Sequence, residues 1–152
     1  GNPMANNFNP ATGELIMDDF NPGSLNSAIQ QVLKNYSYSE VQSIIVEGSL
    51  NSNDYGFYYR MTNCSMIDLA RTAGYNQIPT YAFEDMLALT KVILPASVTK
   101  INNYAFYGCD FLSELVCYAT EPPVISNYVF DSSIEGLVVR VPSEALINYE
   151  LA

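Results

Sequence analysis

The chain has 152 residues, 49% of them hydrophobic, which is room for one domain with a continuous core. Six Lys and Arg stand against sixteen Asp and Glu, a formal charge of −10. A phosphate backbone or an anionic lipid surface would repel such a chain, so nucleic acid is not an expected partner.

No stretch of about 18 apolar residues is present to span a bilayer, and no charged segment followed by an apolar one opens the chain. The sequence begins GNPMANN, with Gly1 where an initiator Met is expected, as after tag cleavage; a secretion signal would then already be gone. Residues 1–23 are expected to be flexible or irregular. In SLNSAIQQVLKNY the apolar residues Leu25, Ile29, Val32 and Leu33 share one helical face, with Ser24, or Ser27 paired with Gln30, as N-cap. This predicts a helix within 24–40 that caps the first of a series of strands.

Five short β-branched runs come next: SIIVE from 43, MIDL from 66, KVILP from 91, ELVC from 114 and LVVRVP from 137. Their last inward residues, Val46, Leu69, Leu94, Cys117 and Val141, are spaced by 23, 25, 23 and 24. Between them an aromatic phrase recurs. Met61, Phe83, Phe106 and Phe130 are separated by 22, 23 and 24, each two residues after a tyrosine: Tyr59, Tyr81, Tyr104 and Tyr128. Cys64, Met86, Cys109 and Ser133 come three residues later. Two landmarks keeping one period predict a solenoid over 41–142, with one parallel strand per coil.

Ala105, Phe106, Cys109 and Leu112, like Ala82, Phe83, Met86 and Leu89, fall at offsets that suit one or two helical turns opposite the strands. Asn102 or Asn103 would cap the turn and Gly108 would help end it. Core packing explains these residues, and no cofactor is implied. Cys64 and Cys109 lie two coils apart, roughly 10 Å at one strand spacing per coil. A disulfide needs Cα atoms within about 7 Å, so buried thiols are expected. No CxxC pair and no histidine exist to complete a zinc site. PSEALINYELA, starting at Ser143, is expected to cap the far end over 143–152 through Leu146, Ile147 and Tyr149.

VILPASVTKINNYAFYGCDFLSEL, residues 92–115, resembles the BspA-type leucine-rich repeat, whose motif is a strand ending LP, a short link, then yAF.gC..L. VEGSLNSNDYGFYYRMTNCSMIDL, residues 46–69, is similar to the less regular first repeat of Bacteroidales members. The resemblance covers roughly residues 24–149. It implies an α/β repeat solenoid, a right-handed leucine-rich-repeat coil with short helical turns opposite the strands. It also implies export to the cell surface or beyond, often as a lipoprotein, with adhesion or host interaction as the setting. This chain departs from the motif in its first repeat, with Arg60 for Ala and Met61 for Phe, and in its last, with Val129 and Ser133.

In each strand the residue between the two inward ones points away from the core, which aligns Ile45, Asp68, Ile93, Val116 and Arg140. Ser43, Met66, Lys91, Glu114 and Val138 form the flanking row. An apolar stripe with charges towards its ends suits recognition of a protein, a host matrix or surface protein, or less readily a glycan. β-propensity alone would also place such residues there. The tyrosine column is read as packing beside the helical turn, with ligand contact as the second reading.

Catalysis has no basis in the residues. Without histidine neither Ser-His-Asp nor Cys-His chemistry assembles, and the pairs Asp18–Asp19 and Glu84–Asp85 read as solvated charge. NSNDYG at 51–56 echoes a calcium loop, yet Thr62 stands where the bidentate Glu belongs, so no metal is expected. Two readings remain: a non-enzymatic binding module, or a structural spacer in a larger surface protein. A binder leaves the Ile45, Ile93 and Val116 stripe open; a spacer has it buried by a neighbouring domain or subunit. The sequence sets no oligomeric state.

Overall fold

Each period of the sequence is one coil of a β-solenoid. The computed structural model describes residues 6–131 and 134–152, so Ser133 and residues 1–5 lie outside the described residues. The elements in chain order are β1 (Asn7–Asn9), β2 (Glu14–Met17), α1 (Leu25–Leu33), β3 (Ser43–Ser49), β4 (Met66–Ala73) and β5 (Gln77–Ile78). Then come β6 (Lys91–Leu94), β7 (Lys100–Ile101), β8 (Glu114–Cys117), β9 (Val124–Ile125), β10 (Val138–Arg140) and α2 (Leu146–Leu151). Among the described residues the main sheet runs β1-β2-β3-β4-β6-β8-β10, parallel from β2 onward, and β5-β7-β9 form a second parallel sheet.

Alternation along the strands decides which side is core. Ile44 and Val46, Ile67 and Leu69, Val92 and Leu94, Leu115 and Cys117 are all buried, while the residues between them are partly exposed. Each such side chain is worth roughly 1.5–3 kcal/mol when buried, and a single coil buries it only against its neighbours. In the last coil the pattern lapses: Val139, the register partner of Leu115, is 50% exposed on the edge strand, and Val141 is only partly buried.

Several expectations need correction. Residues 7–17 are not irregular: β1 and β2 form an antiparallel hairpin, and Leu15 and Met17 enter the core. Asn6 pins it, accepting the N–H groups of Asp18 and Asp19 and donating to the Asp19 carbonyl. Because β2 pairs in parallel with β3, α1 is the crossover between them, and β1 forms the sheet edge. The helix buries Leu25, Ile29 and Leu33, as its periodicity requires. Ser24 occupies the N-cap without capping; its hydroxyl donates to the Asn21 carbonyl, and Asp54 accepts the Leu25 N–H instead.

The aromatic phrases do not form helical turns after the first coil. Tyr81, Tyr104 and Tyr128 have φ of 62°, 61° and 58°, a left-handed conformation that is unfavourable by about 1–2 kcal/mol per non-glycine residue. This kink reverses the side chains, leaving the tyrosine outside and sending Ala and Phe inward. Tyr81 stacks on Tyr104 at 5.1 Å, and Tyr104 on Tyr128 at 5.7 Å. Inside, Phe83 stacks on Phe106 and Phe106 on Phe130 at 5.1 and 5.6 Å. Backbone bonds join these turns across coils, Phe83 N–H to the Ala105 carbonyl and Phe106 N–H to the Val129 carbonyl. Asn102 bridges coils by donating to the Ile78 carbonyl and the Gln77 side chain, so it caps no helix. Gly108 is needed where it stands: its φ is 80°, and a Cβ there would lie 2.0 Å from an Asp85 carboxylate oxygen.

At the far end, Tyr149 anchors α2 through a 2.6 Å hydrogen bond to the Ala119 carbonyl, whereas Leu146 and Ile147, expected to cap, are 51% and 63% exposed. Cys64, Cys109 and Cys117 are free buried thiols. Burial pushes the first two up to about 12.

Candidate protein-binding face

Strand register brings the outward residues into two rows. Ile16, Ile45, Asp68, Ile93, Val116 and Arg140 are successive partners across β2, β3, β4, β6, β8 and β10. Glu14, Ser43, Met66, Lys91, Glu114 and Val138 form the flanking row. The central row therefore extends one strand beyond the expected stripe, to Ile16 of the hairpin, and Asp68 stands within it.

Towards β10, two cations share one carboxylate. Arg140 Nε lies 2.7 Å from Glu114 Oε2, and Lys91 Nζ lies 3.8 Å from Glu114 Oε1. Arg140 is in register with Val116, yet its guanidinium reaches across to the flanking row. Val138 is 47% exposed at the edge of the sheet.

A feature the sequence reading missed sits at the carboxyl ends of these strands. Between the pairs Ile45 with Asp68 and Glu47 with Arg71, β4 carries one residue more than β3, a β-bulge. Leu69 points inward there, and the N–H of Ala70 is taken by the Asp68 carboxylate at 2.9 Å. Next to the bulge lies a groove of about 680 Å³ lined by Asp68, Ala70, Arg71, Ile93, Tyr118 and Glu144, among others. Tyr118 is 49% exposed, and Arg71 pairs with Glu47 at 3.7 Å on the surface. Two of the predicted residues, Asp68 and Ile93, thus line this groove. The signal for Tyr118 was available, since it lies two residues after Val116 and shares its outward face.

The acid of NSNDYG is structural. Asp54, fully buried, accepts N–H groups from Gly23, Leu25 and Asn51, tying α1 to the next coil. Among the described residues no cluster of three or more His, Cys, Asp or Glu is placed to hold a metal, and no helix is long and apolar enough to cross a membrane.

No curated protein matches the chain. The family model for the BspA type leucine rich repeat region matches residues 24–113 in six copies, more than half of the chain. That span runs from α1 through the second stacked tyrosine, and the same strand register continues beyond it into β8 and β10. With the matched span covering more than half of the chain, the chain belongs to the BspA-type leucine-rich repeat family.

Proposed function

We propose that the chain is a non-enzymatic protein-binding module, exported to the cell surface or beyond, that engages its partner with the outward face of the main sheet. Repeats of this family generally serve as protein-interaction scaffolds, and nothing in the site points to catalysis. One observation carries the reading. The apolar row Ile16, Ile45, Ile93 and Val116 stays partly exposed and runs into a groove edged by Tyr118 and Arg71, residue types that dominate binding energy at protein interfaces. In this reading the coil is right-handed, as crossovers between parallel strands nearly always are. Adhesion or host interaction is the setting, and a lipid anchor is one route to the surface.

The test is binding of the immobilised chain to a panel of extracellular matrix proteins, run beside Ile93→Lys. Lysine places a charge in the groove without setting a second carboxylate opposite Asp68. Saturable binding weakened at least about tenfold by the substitution supports the face. No binding by the folded wild-type chain supports the spacer.

A further inference from the structure

Six cations serve this chain of −10, and two of them, Lys34 and Arg60, line one pocket of about 460 Å³ with no Asp or Glu in its lining. Neither belongs to an ion pair among the described residues. The nearby Glu40 turns its carboxylate to the Ser37 N–H at 2.7 Å, closing the short turn at Tyr38–Glu40. In a molecule of the opposite sign this is a local positive site.

Arg60 is also where the repeat breaks its own rule. Later coils place Ala82, Ala105 and Val129 at this position, all buried, whereas Arg60 is exposed. Its guanidinium carbon lies 4.2 Å from the centre of the Tyr38 ring, and the Tyr38 hydroxyl is itself held by Asn26. The ring supports the guanidinium, so less side-chain freedom is lost when its N–H fork meets an anion. Hydroxyls of Ser37, Ser39 and Thr62 and the 43% exposed ring of Tyr36 complete the lining. A planar cation, a second point charge, several hydroxyls and an aromatic edge match a ring that carries both a carboxylate and hydroxyl groups.

We propose that this pocket binds an acidic monosaccharide unit, its carboxylate on Arg60 and Lys34 and its hydroxyls on Ser37, Ser39 and Thr62. The site shares no residue with the sheet face and stands or falls independently of it. Titrating glucuronate into the whole chain, monitored by NMR shifts, tests this, with glucose and inorganic phosphate as comparisons. Glucuronate is expected to bind saturably, more weakly as salt rises, and glucose not to bind. Arg60→Gln is expected to weaken glucuronate about tenfold while the melting curve is retained. Lys34→Gln serves as a second variant if the first does not fold. Equal binding of glucose, unchanged affinity in both folded variants, or phosphate binding as tightly as glucuronate would each overturn the proposal.

Discussion

Asp68 secures the bulge of β4 with its own side chain, its Oδ1 accepting the N–H of Ala70 at 2.9 Å. Opposite the lone Val46 of β3 stand two residues, Leu69 and Ala70, so a ladder hydrogen bond is lost at this point. The carboxylate replaces it, and the strand continues into Arg71 at the rim of the groove. Asp68→Ala should therefore lower stability by about 1–3 kcal/mol in urea denaturation, with Asp68→Asn, which retains an oxygen acceptor, losing less. Equal stability of all three proteins would contradict this role.

Asp54 performs a longer-range version of the same task. Its two oxygens accept three backbone N–H groups, two of them at the start of α1 about thirty residues earlier in the chain. Asp54→Ala is expected to cost about 3 kcal/mol or more, because it strands buried donors, and to expose the start of α1 to amide exchange. Faster exchange confined to residues 52–55, with α1 unchanged, would argue against the link.

Tyr104 combines a left-handed backbone with stacking on both faces, against Tyr81 and Tyr128. Alanine and glycine both remove the ring, but only alanine keeps the Cβ strain. Tyr104→Gly should then be more stable than Tyr104→Ala by roughly 1 kcal/mol in thermal unfolding, the reverse of an ordinary position. An alanine variant as stable as the glycine one would place the strain elsewhere.

The buried thiols give the fold an alkaline limit. Burial raises Cys64 and Cys109 from an ordinary 9.0 to about 12, so the folded chain holds these protons more tightly than the unfolded one. Their contribution is complete below about pH 9 and is lost as pH rises towards 12. Tyr58, buried and likewise raised, adds to the same trend. Urea midpoints should fall between pH 8 and 11, less so in a Cys64→Ala, Cys109→Ala protein. At pH 8 a thiol reagent should label only the unfolded chain; rapid labelling of the native protein would contradict the burial.

The solenoid was legible because its core repeats: Val46, Leu69, Leu94 and Cys117 are all buried one coil apart. Local conformation was less legible. Offsets of three and four around Phe83 and Phe106 suit a helical turn, yet a left-handed tyrosine buries the same residues, and short segments do not distinguish the two. The N-terminal hairpin left a weaker trace, the short apolar run Leu15, Ile16 and Met17 after a Pro10–Gly13 turn. For the binding face, the two rows result from strand alternation alone. The groove does not, because Tyr118 and Glu144, which help line it, lie beyond the strands, where strand alternation does not by itself place side chains.

The most direct test of the sheet face compares two surfaces of one molecule for the same matrix protein. Affinity would be measured for the wild-type chain, for Ile93→Lys and Tyr118→Ala in the groove, and for Tyr128→Ala on the tyrosine column. The sheet-face account predicts a loss of about tenfold or more in both groove variants and unchanged affinity in the third. Retained affinity in the folded groove variants, with loss in Tyr128→Ala, would contradict it and move the interface to the tyrosines.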